Sequence, residues 1–260
     1  MNRNEYVRMY EAEDSHWWYA GLHELILRII RRESVRLGRP LQILDAGCGT
    51  GRLCQLMAAE GHSVEGCDAS TIAFDYCSER GVKAFTCDLN SDSLEIAHYD
   101  VITLIDVIYH RNINNDIAVL RNIYSSLKPD GILILQVPAY TWLWSPHDEA
   151  VHTARRYTRK TIRRMILSCG FSIEKDTYRV TLLFIPIVLM RLMKKIAGRS
   201  GKVSGSASDV KKHSPFLNAV LYMLIRAENS LLAWSSLSFG TSVFAVAQKP
   251  CAPDRSGGAE

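Results

Sequence analysis

The chain has 260 residues, 47% of them apolar and 22% charged, with a formal net charge of +4. That is apolar material for one large α/β domain with an insertion, and the small charge excess argues against a general nucleic-acid binder. Seven cysteines include no Cys-x-x-Cys pair; Cys48, Cys54, Cys67, Cys77 and Cys87 fall in or beside predicted core elements. They read as small buried thiols in a reducing cytosol, not as disulfides or metal ligands.

In chain order, Met1–Glu5 is polar and shows no signal-peptide pattern. Glu13-Asp14-Ser15-His16-Trp17-Trp18-Tyr19 then sets three large aromatics in an otherwise polar leader. Such rings are predicted to cap the core or close over a bound ligand. Leu22, Leu25, Ile26, Ile29 and Ile30 repeat at helical spacing, which predicts a helix over 22–37. Residues 1–40 are thus an expected aromatic lid plus helix.

Ile43-Leu44-Asp45-Ala46-Gly47-Cys48-Gly49-Thr50-Gly51 follows, and behind it a helical pattern through Leu53, Leu56 and Met57. This is strand, glycine turn, helix. Glycines at 47, 49 and 51 let the backbone approach a ligand closely. The Gly-x-Gly-x-Gly spacing with Asp45 ahead of it differs from the Gly-x-Gly-x-x-Gly of dinucleotide folds, and the acid suits a cationic group better than a pyrophosphate.

Further strands are predicted at Ser63–Asp68, Val82–Leu89 and Tyr99–Val107, and Leu127-Lys128-Pro129-Asp130-Gly131 is a turn feeding a fifth at Ile132–Val137. An acid at the end of the second strand, Asp68, can accept both hydroxyls of a ribose. A helix over 157–169 is ended by Gly170, a sixth strand runs from Phe171 to Tyr178, and Ser242–Gln248 is the last strand. Alternating strands and helices imply a parallel sheet covered on both faces.

Residues 41–178 are the expected core, 179–240 a long insertion, 241–250 the last strand, and 251–260 a disordered tail. The insertion is apolar from Val180 to Met190, basic at Arg191, Lys194, Lys195 and Arg199, and Gly/Ser-rich from Gly198 to Ser208. A second apolar helix, with Phe216, Leu217, Val220, Leu221, Leu224 and Ile225, follows Lys211-Lys212. Pro186 and Arg191 argue against a membrane span. A lid over the site, and a lid that also touches a membrane interface, both stay open.

The order and spacing of these motifs resemble those of class I S-adenosylmethionine (SAM) dependent methyltransferases, of the type 11/12-like kind. Asp130 stands for the first glycine of the family's Leu-Lys-Pro-Gly-Gly turn. The resemblance implies a Rossmann-like seven-stranded α/β sheet with helices on both faces, an apolar helical insertion before the last strand, and SAM as cofactor. It implies that Asp45, Ala46, Gly47, Gly49 and Gly51 hold the methionine end, Asp68 and Ala69 the ribose, Asp88 and Leu89 the adenine, and that Ile105 borders the sulfonium. The leader and the 140–157 stretch resemble a bacterial His-Trp-Trp-Tyr-leader subgroup associated with lipid and glycoconjugate pathways. That leader commonly ends Gly-Arg-Arg, where this chain has Gly21-Leu22-His23.

Two segments supply acceptor-side candidates. Asp106-Val107-Ile108-Tyr109-His110-Arg111 follows the fourth strand, and Pro138 to Asp148 with His152, Arg155, Arg156 and Tyr157 follows the fifth. Strand ends of this kind form the ligand crevice of open α/β sheets. His110, His147 and His152 are the base candidates. Trp18, Tyr19, Tyr140, Trp142, Trp144, Arg156 and Tyr157 are the acceptor-side set, with packing as the competing role for the tryptophans and a solvated pair as that for the arginines. No metal site is expected. The expected activity is methyl transfer from SAM to oxygen or carbon of a lipophilic small molecule by a cytoplasmic protein, at the inner membrane face if it touches lipid. A non-methylating SAM-using transferase, or a SAM-binding membrane interaction protein on the same scaffold, remains the alternative.

Overall fold

In a computed structural model, residues 3–198 and 213–251 are described. Two helices open the chain, α1 (Arg3–Glu13) and α2 (Trp17–Leu37). His16 caps α2, its Nδ1 accepting the Trp18 N–H at 3.3 Å, and Gly38 closes it in the left-handed region. The helix therefore starts five residues earlier than the Leu22–Ile30 period predicts, and it absorbs the aromatic leader. Alternation then gives β1 (Gln42–Ala46), α3 (Arg52–Ala59), β2 (Ser63–Asp68), α4 (Thr71–Glu79), β3 (Ala84–Thr86), β4 (Tyr99–Ile105), α5 (Asp116–Ser126) and β5 (Leu127–Pro138). A short helix α6 (Pro146–Ala150), α7 (Arg159–Ser168), β6 (Ser172–Arg179), α8 (Phe184–Gly198), α9 (Pro215–Leu232) and β7 (Ser242–Gln248) complete it.

The seven strands lie in the order β3-β2-β1-β4-β5-β7-β6, with β7 antiparallel to both neighbours. The expected Rossmann-like sheet is present. The central runs Val101–Ile105 of β4 and Ile132–Leu135 of β5 are rich in Val, Ile and Leu because both faces are covered.

Three strand limits differ from expectation. β3 pairs only with β2 and is cut to three residues, because an edge strand has partners on one side and Asp88 turns the chain away into Asn90. The Lys-Pro-Asp-Gly turn becomes a bulge inside β5: Tyr99 pairs with Leu127 and Val101 with Ile132, with Asp130 at φ 61°. β6 runs on to Arg179, so that residue belongs to the sheet and not to the insertion. α7 also begins two residues late, at Arg159, since Thr158 caps it and Tyr157 is held in the core.

The insertion is the α8–α9 pair. α9 docks on α2 with little space between them: a Cβ on Gly21 would come 2.3 Å from Ile225 Cγ2. Asn218 accepts from Trp17 N (2.9 Å), and Asn229 donates to Gly21 O (2.7 Å). Buried Glu228 accepts the N–H groups of Val180, Thr181 and Leu182 ahead of α8. Most of the Gly/Ser stretch, Lys211-Lys212 and residues 252–260 lie outside the described residues. Among the described residues, no helix is long and apolar enough to cross a membrane, and all cysteines are unpaired.

Candidate active site

Strand order reverses between β1 and β4, so their carboxyl ends open a crevice there. The glycine loop follows β1 and is pinned to β2: Gly47 N and Cys48 N both donate to Cys67 O, at 2.7 and 2.9 Å. Gly47 has φ 81° and no room for a side chain, since a Cβ would lie 2.3 Å from Val107 Cγ2. The loop is thereby pressed against the end of β4, beside Ile105.

The acids sit around this loop. Asp45 is buried beneath it, accepting from Thr103 Oγ1 at 2.6 Å and from Cys54 Sγ at 3.5 Å. Burial raises its carboxyl to about 6 against those bonds. Asp68, at the end of β2, accepts Gly49 N (3.1 Å) and Ser70 N (2.8 Å), and burial raises it too. Ala46 is buried at the end of β1, and Ala69 is exposed after Asp68. Asp88 is exposed, with its Oδ1 already accepting from Asn90; Leu89 beside it is buried.

Sequence reading expected the Trp17–Tyr19 rings to cap the core or close over a ligand; it did not single out α1, ahead of them, as the cover of the loop. α1 lies across it: Met9 Cε stands 2.7 Å from where a Gly49 Cβ would be, and Tyr6 is buried near Asp68 and Ser70. Glu13, at the end of α1, bonds Thr50 Oγ1 and lies 3.6 Å from Arg80. Burial lifts its carboxyl to about 7. The sequence carries no local signal for this pairing, which spans 37 residues.

On the acceptor side the structure brings some candidates together and commits others elsewhere. Tyr140, at φ 55°, stacks with Trp142 (5.6 Å) and Tyr178 (5.1 Å), and its edge meets Phe184 of α8. Trp142 and Trp144 are exposed. Trp18 packs edge-on to Tyr19 at 4.9 Å; Trp17 is buried with Val180, Leu183 and Ile225, and Trp18 packs half-buried against the same cluster. Arg156 is buried with all three guanidinium nitrogens engaged: Nε and Nη2 on Asp148 (2.7 and 3.0 Å), Nη1 on Ala139 O (2.7 Å). It is a brace for the segment after β5. Tyr157 is likewise buried, its hydroxyl 2.8 Å from Asp116 Oδ2 and 3.1 Å from Ile108 O.

Of the histidines, His110 and His152 have ring centroids 5.8 Å apart, and His147 lies on α6. His110 Nδ1 accepts from Asn112 N at 3.2 Å, so its proton is on Nε2. Burial and nearby positive charge lower it to about 4. A neutral ring with that tautomer is poorly placed to take a proton. Asp106, in the candidate segment after β4, is the acid that the base candidates did not include. It follows β4 at φ 54°, and burial raises it to about 6. Among the described residues no group of three or more His, Cys, Asp or Glu side chains is arranged to hold a metal ion.

This end of the sheet fits SAM on two observations. A Cβ at Gly47 or Gly49 would strike Val107 or Met9, so only glycine lets the backbone take this tight loop after β1. Burial raises the carboxyls of Glu13, Asp45 and Asp68, and a cationic sulfonium and ammonium beside them would favour their charged forms.

Residues 18–175, more than half the chain, match the family model described as "Methyltransferase domain". The chain is 30% identical over 105 residues to the ubiquinone biosynthesis O-methyltransferase of Haemophilus ducreyi, covering 36% of this chain and 44% of that protein. It is 30% identical over 156 residues to the Rickettsia prowazekii protein of the same name, covering 52% and 59%. It thus spans about half the length of the curated relatives it matches. A SAM-dependent methyltransferase from Archaeoglobus fulgidus shares the fold at a TM-score of 0.54 and 18% identity, over 87% of this chain and 94% of that one. Phosphoethanolamine N-methyltransferase 2 of Haemonchus contortus, solved with SAM, does so at 0.51 and 20%, over 81% and 49%. With the glycine loop and its acids in place, the chain belongs to the methyltransferase domain family and shares the fold of SAM-dependent methyltransferases.

Proposed function

We propose that the protein methylates oxygen or carbon of a lipophilic small molecule that it meets at a membrane interface. The observation that carries this is the outer face of α8 and α9. Ile185 (65% exposed) and Met193 (64%) of α8, Phe216 (81%) and Met223 (68%) of α9, and Trp234 (92%) two residues past α9 are exposed. Single exposed apolar residues need no account, but this many large ones along one two-helix insertion do. Phe184 of α8 also touches the Tyr140–Trp142 stack, so the apolar face continues to the carboxyl edge of the sheet. Amphipathic helices of this kind lie in the headgroup boundary. The names of the ubiquinone-pathway relatives support an acceptor of that class for this chain.

Bound SAM supplies an electrophilic methyl group on a sulfonium. In this reading Asp45, Ala46 and the three glycines hold its methionine end, Asp68 and Ala69 its ribose, and Asp88 with Leu89 its adenine. Ile105 borders the sulfonium. Trp18, Tyr19, Tyr140, Trp142 and Trp144 hold the apolar acceptor and exclude water, and the protein's main contribution is alignment in a dry site.

The test is S-adenosylhomocysteine formation from SAM with 4-hexylcatechol or protocatechuate as acceptor, each with and without vesicles of phosphatidylethanolamine and phosphatidylglycerol. Turnover of the alkylated acceptor alone, faster with vesicles, is expected. Vesicle binding should fall at least about tenfold in a Phe216→Glu/Trp234→Glu variant whose melting temperature is unchanged. Turnover confined to the soluble acceptor, or variant and wild type sedimenting alike with vesicles, would count against the reading.

A further inference from the structure

We infer that Asp106 is the catalytic base toward a hydroxyl acceptor, aimed by a buried relay that runs from Arg179 through Gln136. This rests on the methyl-transfer reading above. Arg179 ends β6, Gln136 lies two residues before the end of β5, and Asp106 is one residue beyond β4, all toward the crevice edge of the sheet. Arg179 Nη1 donates to Gln136 Oε1 at 2.6 Å, and Gln136 Nε2 donates to Asp106 Oδ2 at 2.9 Å. Asp106 N also donates to Gln136 O at 2.9 Å.

The relay has one direction. Arginine has donors and no acceptor, so it fixes which way the Gln136 amide faces. That amide then presents N–H to Asp106 Oδ2, which must be an unprotonated oxygen. Oδ1 accepts no hydrogen bond among the described residues, and Asp106 keeps accessible surface although Gln136 and Arg179 have none. A proton taken up by this carboxylate therefore goes to Oδ1.

Arg179 would be an odd residue to bury for packing alone. It is fully buried with Nε and Nη2 unpartnered. Its cost is intelligible if its charge acts on its neighbours. Those facing Asp106 are Arg179 from β6, Arg156 held on Asp148, Tyr109 on its own loop and Tyr19 from α2. Glu228 of α9 faces Arg179 in turn. Burial holds both phenols neutral. Burial lifts Asp106 while Gln136 and the two arginines restrain it, and the balance falls near 6, where a carboxylate is both ionised and basic at neutral pH. The acceptor oxygen then bonds the methyl carbon as the C–S bond breaks, its electron pair returns to sulfur to leave a neutral thioether, and the hydroxyl proton passes to Asp106 Oδ1. Gln136 and Arg179 are positioning residues.

The experiment uses the full chain and two readouts. With 4-hexylcatechol, Asp106→Asn, which tolerates the same backbone, should lower kcat about 10²- to 10⁴-fold. Its affinity for S-adenosylhomocysteine should stay within about threefold of wild type, as a general-base role requires. Independently, carboxyl ¹³C resonances of the S-adenosylhomocysteine complex should show Asp106 titrating near 6 in wild type, about one unit higher in Arg179→Gln, and close to wild type in Arg179→Lys. The acid limb of the pH–rate profile should move with it. Wild-type kcat in Asp106→Asn overturns the inference, and so does an Asp106 midpoint below about 4.5 or one indifferent to Arg179. If the wild type yields no product from 4-hexylcatechol, the acceptor class of the proposed function fails and the titration alone decides the role of Asp106.

Discussion

Met9 rests on Gly49: the methionine Cε lies 2.7 Å from the position a Cβ would take at that glycine. With Glu13 on Thr50 and the Arg80 guanidinium 4.2 Å from the Tyr10 ring, this contact seats α1 across the glycine loop. The expectation is that a ligand held in the loop is released by lifting α1. Truncation by Met9→Ala removes apolar contact from the seat without touching the loop itself. The expected result is S-adenosylhomocysteine dissociation about five- to tenfold faster in stopped-flow fluorescence, with an association rate changed less than its dissociation rate. Identical dissociation in the two proteins would mean that α1 does not gate the site.

Asp68 has two tasks that substitution can separate. Its carboxylate holds Gly49 N and Ser70 N, and it is the acid positioned for ribose hydroxyls. Gly49 N and Ser70 N use different oxygens of the carboxylate, so Asp68→Asn keeps an acceptor for only one of them as well as losing the charge; SAM affinity should fall about 10- to 100-fold and stability by about 1 kcal/mol. Asp68→Ala also strands two backbone donors and should cost about 1–3 kcal/mol of stability in addition. Calorimetry and urea unfolding of both variants measure the two effects. Unchanged affinity in Asp68→Asn would remove it from the cofactor site.

Glu13, Asp45 and Asp106 give the unliganded protein an unusual pH dependence. Their folded carboxyls titrate near 7, 6 and 6, above the ordinary values of 4.5, 3.8 and 3.8. Between those limits the folded state binds more protons than the unfolded one. Their contribution is therefore full below about pH 4 and is lost as pH rises through 6 to 7. A bound sulfonium and ammonium reverses the balance at Glu13 and Asp45 by favouring their carboxylates. SAM binding at pH 6.5 should release protons, seen as binding heats that differ between buffers of different ionisation enthalpy, and affinity should increase from pH 5.5 to 7.5. Glu13→Gln should reduce the proton release. Buffer-independent heats would show that these acids do not face the cofactor.

Much of the fold was legible because it rests on local signals. Alternating apolar runs, the Gly47-x-Gly49-x-Gly51 turn and the acid ending β2 each carry their meaning within a few residues. Their order was enough to name a SAM-dependent fold, because parallel βαβ units leave little topological choice. What misled was equally local. Arg156 and Tyr157 look like acceptor contacts beside two histidines, yet each is occupied by a partner the sequence does not announce: Asp148 with Ala139 O, and Asp116 with Ile108 O.

By itself, then, the sequence determined the α/β class, the glycine cradle and the apolar character of α8 and α9, all properties of short-range pattern. Tertiary structure decided that α1 covers the loop, that Arg179 is a sheet residue, and that Arg179, Gln136 and Asp106 align across three strand ends. The bonded pairs among them are 30 and 43 positions apart. Only the pairing of β4 with β5, and of β7 with both β5 and β6, brings them together, and burial then turns ordinary side chains into charged and titrating ones that no local pattern can reveal.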